Sequence, residues 1–220
     1  WSMKSGGTGT GLFISYDGGE TWQRKTDKDG LPKGELGRIG LAISPVDNRV
    51  LYAIIESTQK KGGLYRSTDY GANWEKRSDY VSGSPQYYQT IYCDPKDVDR
   101  VYSMDVLLQV SDDGGKTFTR LGEKSKHVDN HAMWINPTNT NHYLVGCDGG
   151  LYESFDRGQN WNYKANLPIT QFYDVCVDNS SPFYYVYGGT QDNSTLGGPS
   201  RTRNASGITN ADWFITTGGD

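Results

Sequence analysis

The 220-residue sequence lacks the features that would place it in several common protein classes. Its three cysteines, Cys93, Cys147 and Cys176, have neither CxxC spacing nor the spacing of a zinc site. No run of apolar residues approaches the ~18 that a membrane-spanning helix requires. Lys and Arg number 22 against 26 Asp and Glu, and they form no basic run. Neither a membrane span nor a nucleic-acid partner is therefore predicted.

Turn residues and aromatic side chains are abundant instead. The chain holds 28 Gly and 8 Pro, and a Gly, Pro, Asn or Asp recurs every few residues, which disfavours long helices. Aromatic residues make up 13% of the chain, so there is enough apolar surface to stabilise a core against the entropy of ordering the chain. The composition predicts an all-β, turn-rich protein. Because the chain starts at Trp1 without a signal peptide, we expect a mature or truncated segment.

An octapeptide with the pattern Ser-x-Asp-x-Gly-x-[Thr/Asn]-[Trp/Phe] occurs four times. The Asp side chain is expected to accept hydrogen bonds from nearby backbone N–H groups and close a tight turn, while the Gly takes positive φ. A strand-like run precedes each copy, so each copy predicts a hairpin. The acidic residues, at intervals of 52, 44 and 43 residues, are Asp17, Asp69, Asp113 and Asp156.

A strand–turn–strand pattern separates the octapeptides, and the two patterns together give four antiparallel strands per ~43 residues, as in the blades of a β-propeller. We expect complete blades at about 38–78, 87–122 and 130–165. A partial blade at 1–30 precedes them, and one at 171–220 follows them and ends after its first two strands. A closed propeller has about 4–8 blades, so the sequence predicts a single, incomplete segment of a larger propeller.

The octapeptide resembles the Asp box, or BNR repeat, of sialidases, sortilin-type receptors and the two-propeller glycoside hydrolases that attack xyloglucan. The resemblance covers residues 11–192. It implies that the boxes lie on the rim of the propeller, so the four box aspartates are expected to be turn residues rather than catalysts. The phrase His131-Ala-Met-Trp-Ile-Asn-Pro137 also resembles large secreted bacterial proteins labelled glycosyl hydrolases, which implies an extracellular or cell-envelope location. Sialidase chemistry is not supported, because no arginine triad can be assigned.

Asp148 is the candidate catalytic residue. The segment Cys147–Tyr152 is similar to the Thr-Asp-x-Gly-Gly-x-Tyr segment that carries a catalytic Asp in the xyloglucan-type hydrolases, although Cys replaces Thr and one residue is missing. Glycoside hydrolysis uses two carboxylates about 5–9.5 Å apart, and Asp192 or Asp129 is the expected second one. In the resembling enzymes, however, the second carboxylate comes from a second propeller. A turn or capping role is the alternative for Asp148.

His127, Asp129 and His131 alternate along a segment that enters a predicted strand. If the segment is extended, the three side chains share one face and form a candidate site for a divalent metal ion. Ca²⁺ held by carbonyl and carboxylate oxygens is a further possibility, and no other cofactor is predicted. The alternative is a polar loop that bonds to neighbouring blades. Gln191 and Asn193, at the matching strand exit of the next blade, join these three as candidate ligand-binding residues.

Three functions remain open for the sequence alone. The first is a secreted or cell-envelope propeller module that binds a carbohydrate or a protein on its central face. The second is part of a glycoside hydrolase, with Asp148 as one catalytic carboxylate. The third is a structural repeat in a large extracellular assembly. In each case further blades or domains of the same parent chain are the expected partners.

Overall fold

The computed structural model describes residues 5–167 and 170–218, and regular structure in these residues consists of β-strands and three short 3-10 turns. The strands form one two-stranded and four four-stranded antiparallel sheets. The chain separates into two compact units, Trp1–Tyr163 and Lys164–Asp220. Within the described residues no helix has the length and apolar character needed to cross a membrane. The 3-10 turns are Asp27–Asp29, Thr58–Lys60 and Asn210–Asp212.

The first unit contains a hairpin followed by three four-stranded sheets, and within each sheet the strands pair in chain order. The predicted repeat of four antiparallel strands is thus confirmed. The hairpin consists of β1 (Leu12–Ile14) and β2 (Gln23–Lys25); the first sheet of β3 (Leu36–Ile43), β4 (Leu51–Ser57), β5 (Gly63–Ser67) and β6 (Glu75–Ser78); the second of β7 (Ile91–Cys93), β8 (Val101–Ser103), β9 (Gln109–Ser111) and β10 (Thr119–Arg120); and the third of β11 (Asn130–Ile135), β12 (Tyr143–Cys147), β13 (Gly150–Ser154) and β14 (Asn162–Tyr163).

Each Asp box forms the turn of a hairpin, as the second copy illustrates. Ser67 Oγ donates to Asp69 Oδ1 at 2.8 Å and accepts from the Gly71 N–H at 2.9 Å. Asp69 in turn accepts from the backbone N–H and the side-chain amide of Asn73, each at 2.8 Å. Gly71 has a φ of +83°, in the left-handed region that favours glycine. Corresponding hydrogen bonds recur in the other three boxes.

Among the described residues of the first unit, three hydrophobic clusters join neighbouring sheets face to face. Because side chains alternate along a strand and the first sheet is covered on both faces, Tyr52, Ala53, Ile54 and Ile55 of β4 are all fully buried. Burying each large apolar side chain contributes about 1.5–3 kcal/mol. One cluster joins the hairpin to the first sheet and another joins the first sheet to the second. The third joins the second sheet to the third and contains Tyr102, Met104, Leu108, Val110, Met133, Ile135, Tyr143, Val145, Tyr152 and Trp161.

The second unit contains one four-stranded sheet, whereas the sequence predicts that the chain ends after two strands. The additional strands escape prediction because no Asp box joins them. They are joined instead by a connection that includes the 3-10 turn Asn210–Asp212. A Cβ atom at Gly197 would lie 2.7 Å from the Phe214 ring, so close packing of these two strands requires the glycine. The strands are β15 (Phe172–Val177), β16 (Tyr185–Thr190), β17 (Thr195–Pro199) and β18 (Phe214–Thr217).

Candidate functional site

The candidate residues of the first unit lie at the end of the sheets opposite to the Asp-box turns. Asp148 immediately follows β12 and precedes β13, whereas the Asp box begins at the last residue of β13, Ser154. The two features therefore occupy opposite ends of the same strand. His131 lies on the strand that pairs with β12, so strand pairing brings it to the end that carries Asp148.

Asp148 and His131 form a direct contact, with 2.9 Å between the Asp148 Oδ1 and His131 Nε2 atoms. The register of β11 against β12 shifts between Asn130 and Ala132, which leaves His131 in a bulge. A bulge re-aims the side chain that it carries, and here the imidazole meets the carboxylate at the strand end. The Asp148 side chain is 21% exposed and that of His131 is 46% exposed. The imidazole therefore orients a carboxylate that solvent can reach.

Tyr88 and Asp129 extend this contact into a cluster. The Tyr88 hydroxyl donates to Asp129 Oδ1 at 2.7 Å, and the Tyr88 ring stacks on the His131 imidazole with 5.4 Å between ring centroids. Burial, reinforced by the hydrogen bond to Asp129, raises the pKa of the Tyr88 phenol well above its ordinary value. The phenol therefore stays protonated and donates at neutral pH. We refer to Tyr88, Asp129, His131 and Asp148 as the carboxylate cluster.

The prediction that His127, Asp129 and His131 share one face is wrong. Asp129 has a φ of 61°, and β11 begins only at Asn130, so strand alternation does not apply to this segment. His127 packs instead against Gly149, where a Cβ atom would lie 2.3 Å from the His127 Cβ. Among the described residues no group of three or more His, Cys, Asp or Glu side chains is arranged to hold a metal ion.

A buried polar network of Glu123, Lys126 and Asn130 adjoins the carboxylate cluster, and it is not predicted from the sequence. Glu123 Oε1 accepts from the Asn130 side-chain amide at 2.8 Å and from the Leu108 N–H at 3.0 Å. Asn130 is fully buried, and so is the Lys126 side chain. Since Lys and Glu in a polar loop are ordinarily exposed, no signal in the sequence distinguishes this pair from solvated residues.

Gln191, Asp192 and Asn193 lie in the second unit, in the turn between β16 and β17. Asp192 has a φ of 59°, and the Asn193 side-chain amide donates to the Gln191 carbonyl oxygen at 2.9 Å. These contacts make a tight polar turn. The pairing of Asp192 with Asp148 and a ligand-binding role for this turn stay predictions.

The four box aspartates have the contacts of turn residues. The Thr21 hydroxyl, followed by the Thr21 N–H, lowers the pKa of Asp17 from its ordinary value of 3.8 to about 2. For Asp113, burial opposes ionisation, but hydrogen bonds led by those from Thr117 outweigh it and also give a pKa of about 2. These carboxylates are therefore fully ionised acceptors at neutral pH.

Comparisons with known proteins agree with this architecture. The model of the BNR/Asp-box repeat matches residues 13–24. The solved GH74 enzyme of Niastella koreensis superimposes with a TM-score of 0.52 at 14% identity, covering 93% of this chain and 36% of that chain; this likeness shows the fold alone. The chain is a segment of an Asp-box β-propeller.

Two curated relatives are bacterial xyloglucanases. Xyloglucanase Xgh74A of Acetivibrio thermocellus is 30% identical over 186 residues, which cover 81% of this chain and 19% of the relative. A xyloglucanase of Paenibacillus sp is 25% identical over 232 residues, covering 86% of this chain and 20% of the relative. Within its class the chain is thus similar to xyloglucanases, and it spans about one fifth of their length.

Proposed function

We propose that this chain is part of a glycoside-hydrolase-like propeller that acts on xyloglucan or a related β-glucan, with Asp148 as one of its carboxylates. The observation that carries the proposal is the 2.9 Å contact between Asp148 and His131 at the end of the sheets away from the Asp boxes. The similarity to bacterial xyloglucanases supports the substrate class.

The chemistry requires a carboxylate that is oriented before the substrate arrives. A glycoside hydrolase uses one carboxyl group as the general acid and a second as the base or nucleophile. His131 fixes one oxygen of Asp148, and Tyr88 in the same way fixes one oxygen of Asp129 at 2.7 Å. Asp129, in the same unit, is the candidate for the second group.

An exposed aromatic side chain one residue before Tyr88 of the cluster suits a saccharide. Tyr87 is 62% exposed, whereas Tyr88, the next residue, is buried; the N–H groups of both donate to the Ser84 carbonyl oxygen in a turn. The Arg38 guanidinium donates to the carbonyl oxygens of Gln86 and Tyr87 at 2.7 and 3.3 Å, so the main chain at Tyr87 is held in place. An anchored, exposed ring can stack on the apolar face of a sugar.

A second candidate function is saccharide binding without turnover. It is favoured by the observation that Asp129 and Asp148 each already accept a hydrogen bond from a protein side chain. Isothermal titration of the full-length protein with xyloglucan oligosaccharides, together with an assay for newly released reducing ends, separates the two functions. We expect binding and turnover; binding alone would establish the second candidate, and neither would reject both.

An extracellular or cell-envelope location is part of the same proposal. The relatives that support it are bacterial xyloglucanases, and a polysaccharide substrate would be met outside the cell. Fractionation of the source cells, followed by immunodetection of the protein, tests the location. Recovery only from the cytoplasm would contradict it.

A further inference from the structure

We propose that Lys126 is a positioning residue: its ammonium group, held between Glu123 and Asn130, fixes the backbone at Asp129 and thereby sets the geometry of the carboxylate cluster. The inference rests on the proposed function only in treating that cluster as the functional site. The effect of Lys126 on the geometry of the carboxylate cluster can be measured without a substrate.

Every proton of the Lys126 ammonium has an acceptor. Its Nζ lies 2.6 Å from Asn130 Oδ1, 2.7 Å from the His127 carbonyl oxygen and 3.1 Å from Glu123 Oε1. The ammonium also lies over two aromatic rings, 5.9 Å from the centroid of Tyr152 and 5.5 Å from that of Trp161. With three donors used and no exposed surface, the side chain has one arrangement available.

Asn130 transmits this arrangement to the neighbouring residue. The Asn130 backbone N–H and side-chain amide donate to the Asp105 carbonyl oxygen at 3.0 and 3.1 Å. The same amide donates to the Val106 carbonyl oxygen at 3.1 Å, which also accepts from the Asp129 N–H at 2.9 Å. Asp129 is thus anchored through its own N–H and through the next residue. Such anchoring can hold a non-glycine residue at a φ of 61°.

Asp129 then connects the network of Glu123, Lys126 and Asn130 to Asp148. Its carbonyl oxygen accepts from the Asp148 N–H at 3.2 Å, while its carboxylate accepts from Tyr88. His131, two residues further along, meets Asp148 from the bulge that follows Asn130. A displaced Asn130 would therefore shift Asp129, His131 and Asp148 together.

The alternative is that Lys126 contributes to stability alone, and a pair of variants separates the two roles. Lys126→Met removes the ammonium at similar volume but leaves the Glu123 carboxylate buried without its counter-ion, so this variant is destabilised. The double variant Lys126→Met/Glu123→Gln removes both charges and recovers the part of the stability that the unpaired carboxylate costs. It does not restore the donors that Lys126 supplies to Asn130 and His127.

The readout is the ring ¹⁵N and ¹H NMR signals of His131, which are accessible because the chain has only three histidines. We expect both variants to move these signals in the direction that Asp148→Asn moves them. We also expect both to weaken xyloglucan-oligosaccharide binding by at least about tenfold, because small misplacements are costly at such sites. Glu123→Gln alone preserves volume and one acceptor oxygen. It should move the His131 signals in the same direction by a smaller amount, and it replaces Lys126→Met in the test if that variant does not fold.

Unchanged His131 signals in a folded variant would overturn the positioning role. Signals that return to their original values when the double variant regains stability would overturn it equally. If the unmodified protein binds no saccharide, the proposed function fails, and the NMR signals still decide whether Lys126 sets the geometry.

Discussion

Three described sites illustrate how the donors around an aspartate carboxylate decide its role. In the Asp boxes the carboxylate accepts from its own turn, as Asp113 does from the Thr117 N–H and hydroxyl. Asp105 is buried and accepts from the Gly83 and Val106 N–H groups at 2.9 and 2.8 Å, so it holds two loops together. Asp148 instead meets a side chain from another strand, at a surface that solvent reaches.

The box carboxylates predict a specific pH dependence of stability. The pKa of Asp113 falls from 3.8 to about 2 on folding. Its contribution to the free energy of unfolding is therefore complete above about pH 4 and is lost as the pH falls towards about 2. Asp113→Asn should therefore lower the thermal unfolding midpoint at about pH 6, and the difference from the unmodified protein should shrink towards about pH 2. Calorimetry across this range measures it; a difference independent of pH would contradict the assignment.

Strand ends and bulges position the side chains of the candidate site. The turn Asp148–Gly149 packs under His127, and the bulge at His131 supplies the partner of Asp148. Both features depend on close approach between backbone segments. A residue without a side chain is therefore needed at Gly149 but not at every glycine nearby.

Two glycine substitutions test this requirement. Gly149→Ala would place a Cβ atom 2.3 Å from the His127 Cβ, whereas Gly146→Ala would place one 3.8 Å from the Ala132 Cβ, an ordinary contact. We expect Gly149→Ala to lower the free energy of unfolding by about 1–3 kcal/mol and Gly146→Ala to change it by less than about 0.5 kcal/mol. Urea titration of both variants measures the effects, and equal stabilities would refute the packing argument.

The hydroxyl contact between two neighbouring sheets allows a test of how those sheets stabilise each other. The Tyr102 and Tyr143 hydroxyl oxygens, from β8 and β12, lie 2.6 Å apart in the core, and the Arg100 Nε–H donates to the Tyr102 oxygen at 2.6 Å. A double-mutant cycle with Tyr102→Phe and Tyr143→Phe should give a coupling energy of about 1 kcal/mol. Strictly additive losses in free energy of unfolding would show that the hydroxyl contact does not stabilise the packed sheets.

For the molecule as a whole, a local repeat predicts far more of the fold than of the site. The Asp box predicts its own hairpin because Asp69 and Gly71 act within one turn, and the strands between boxes follow from their turn residues. The sequence predicts only two of the four strands of the last sheet because β17 and β18 are joined without a box. The burial of Lys126 and the contact between Tyr88 and Asp129, residues 41 apart in the sequence, arise only when separate sheets pack, so the repeat carries no sign of them.

The most direct test of the central claim compares two aspartates at opposite ends of the same strand, Asp148 and Asp156. The measurement is the rate at which the full-length protein and its Asp148→Asn and Asp156→Asn variants release reducing ends from xyloglucan at a temperature where all three are folded. We predict that Asp148→Asn lowers the rate by at least about 100-fold and that Asp156→Asn leaves it within about twofold, because the box carboxylate serves only its turn. Equal rates for the Asp148 variant and the unmodified protein would contradict the assignment of the site.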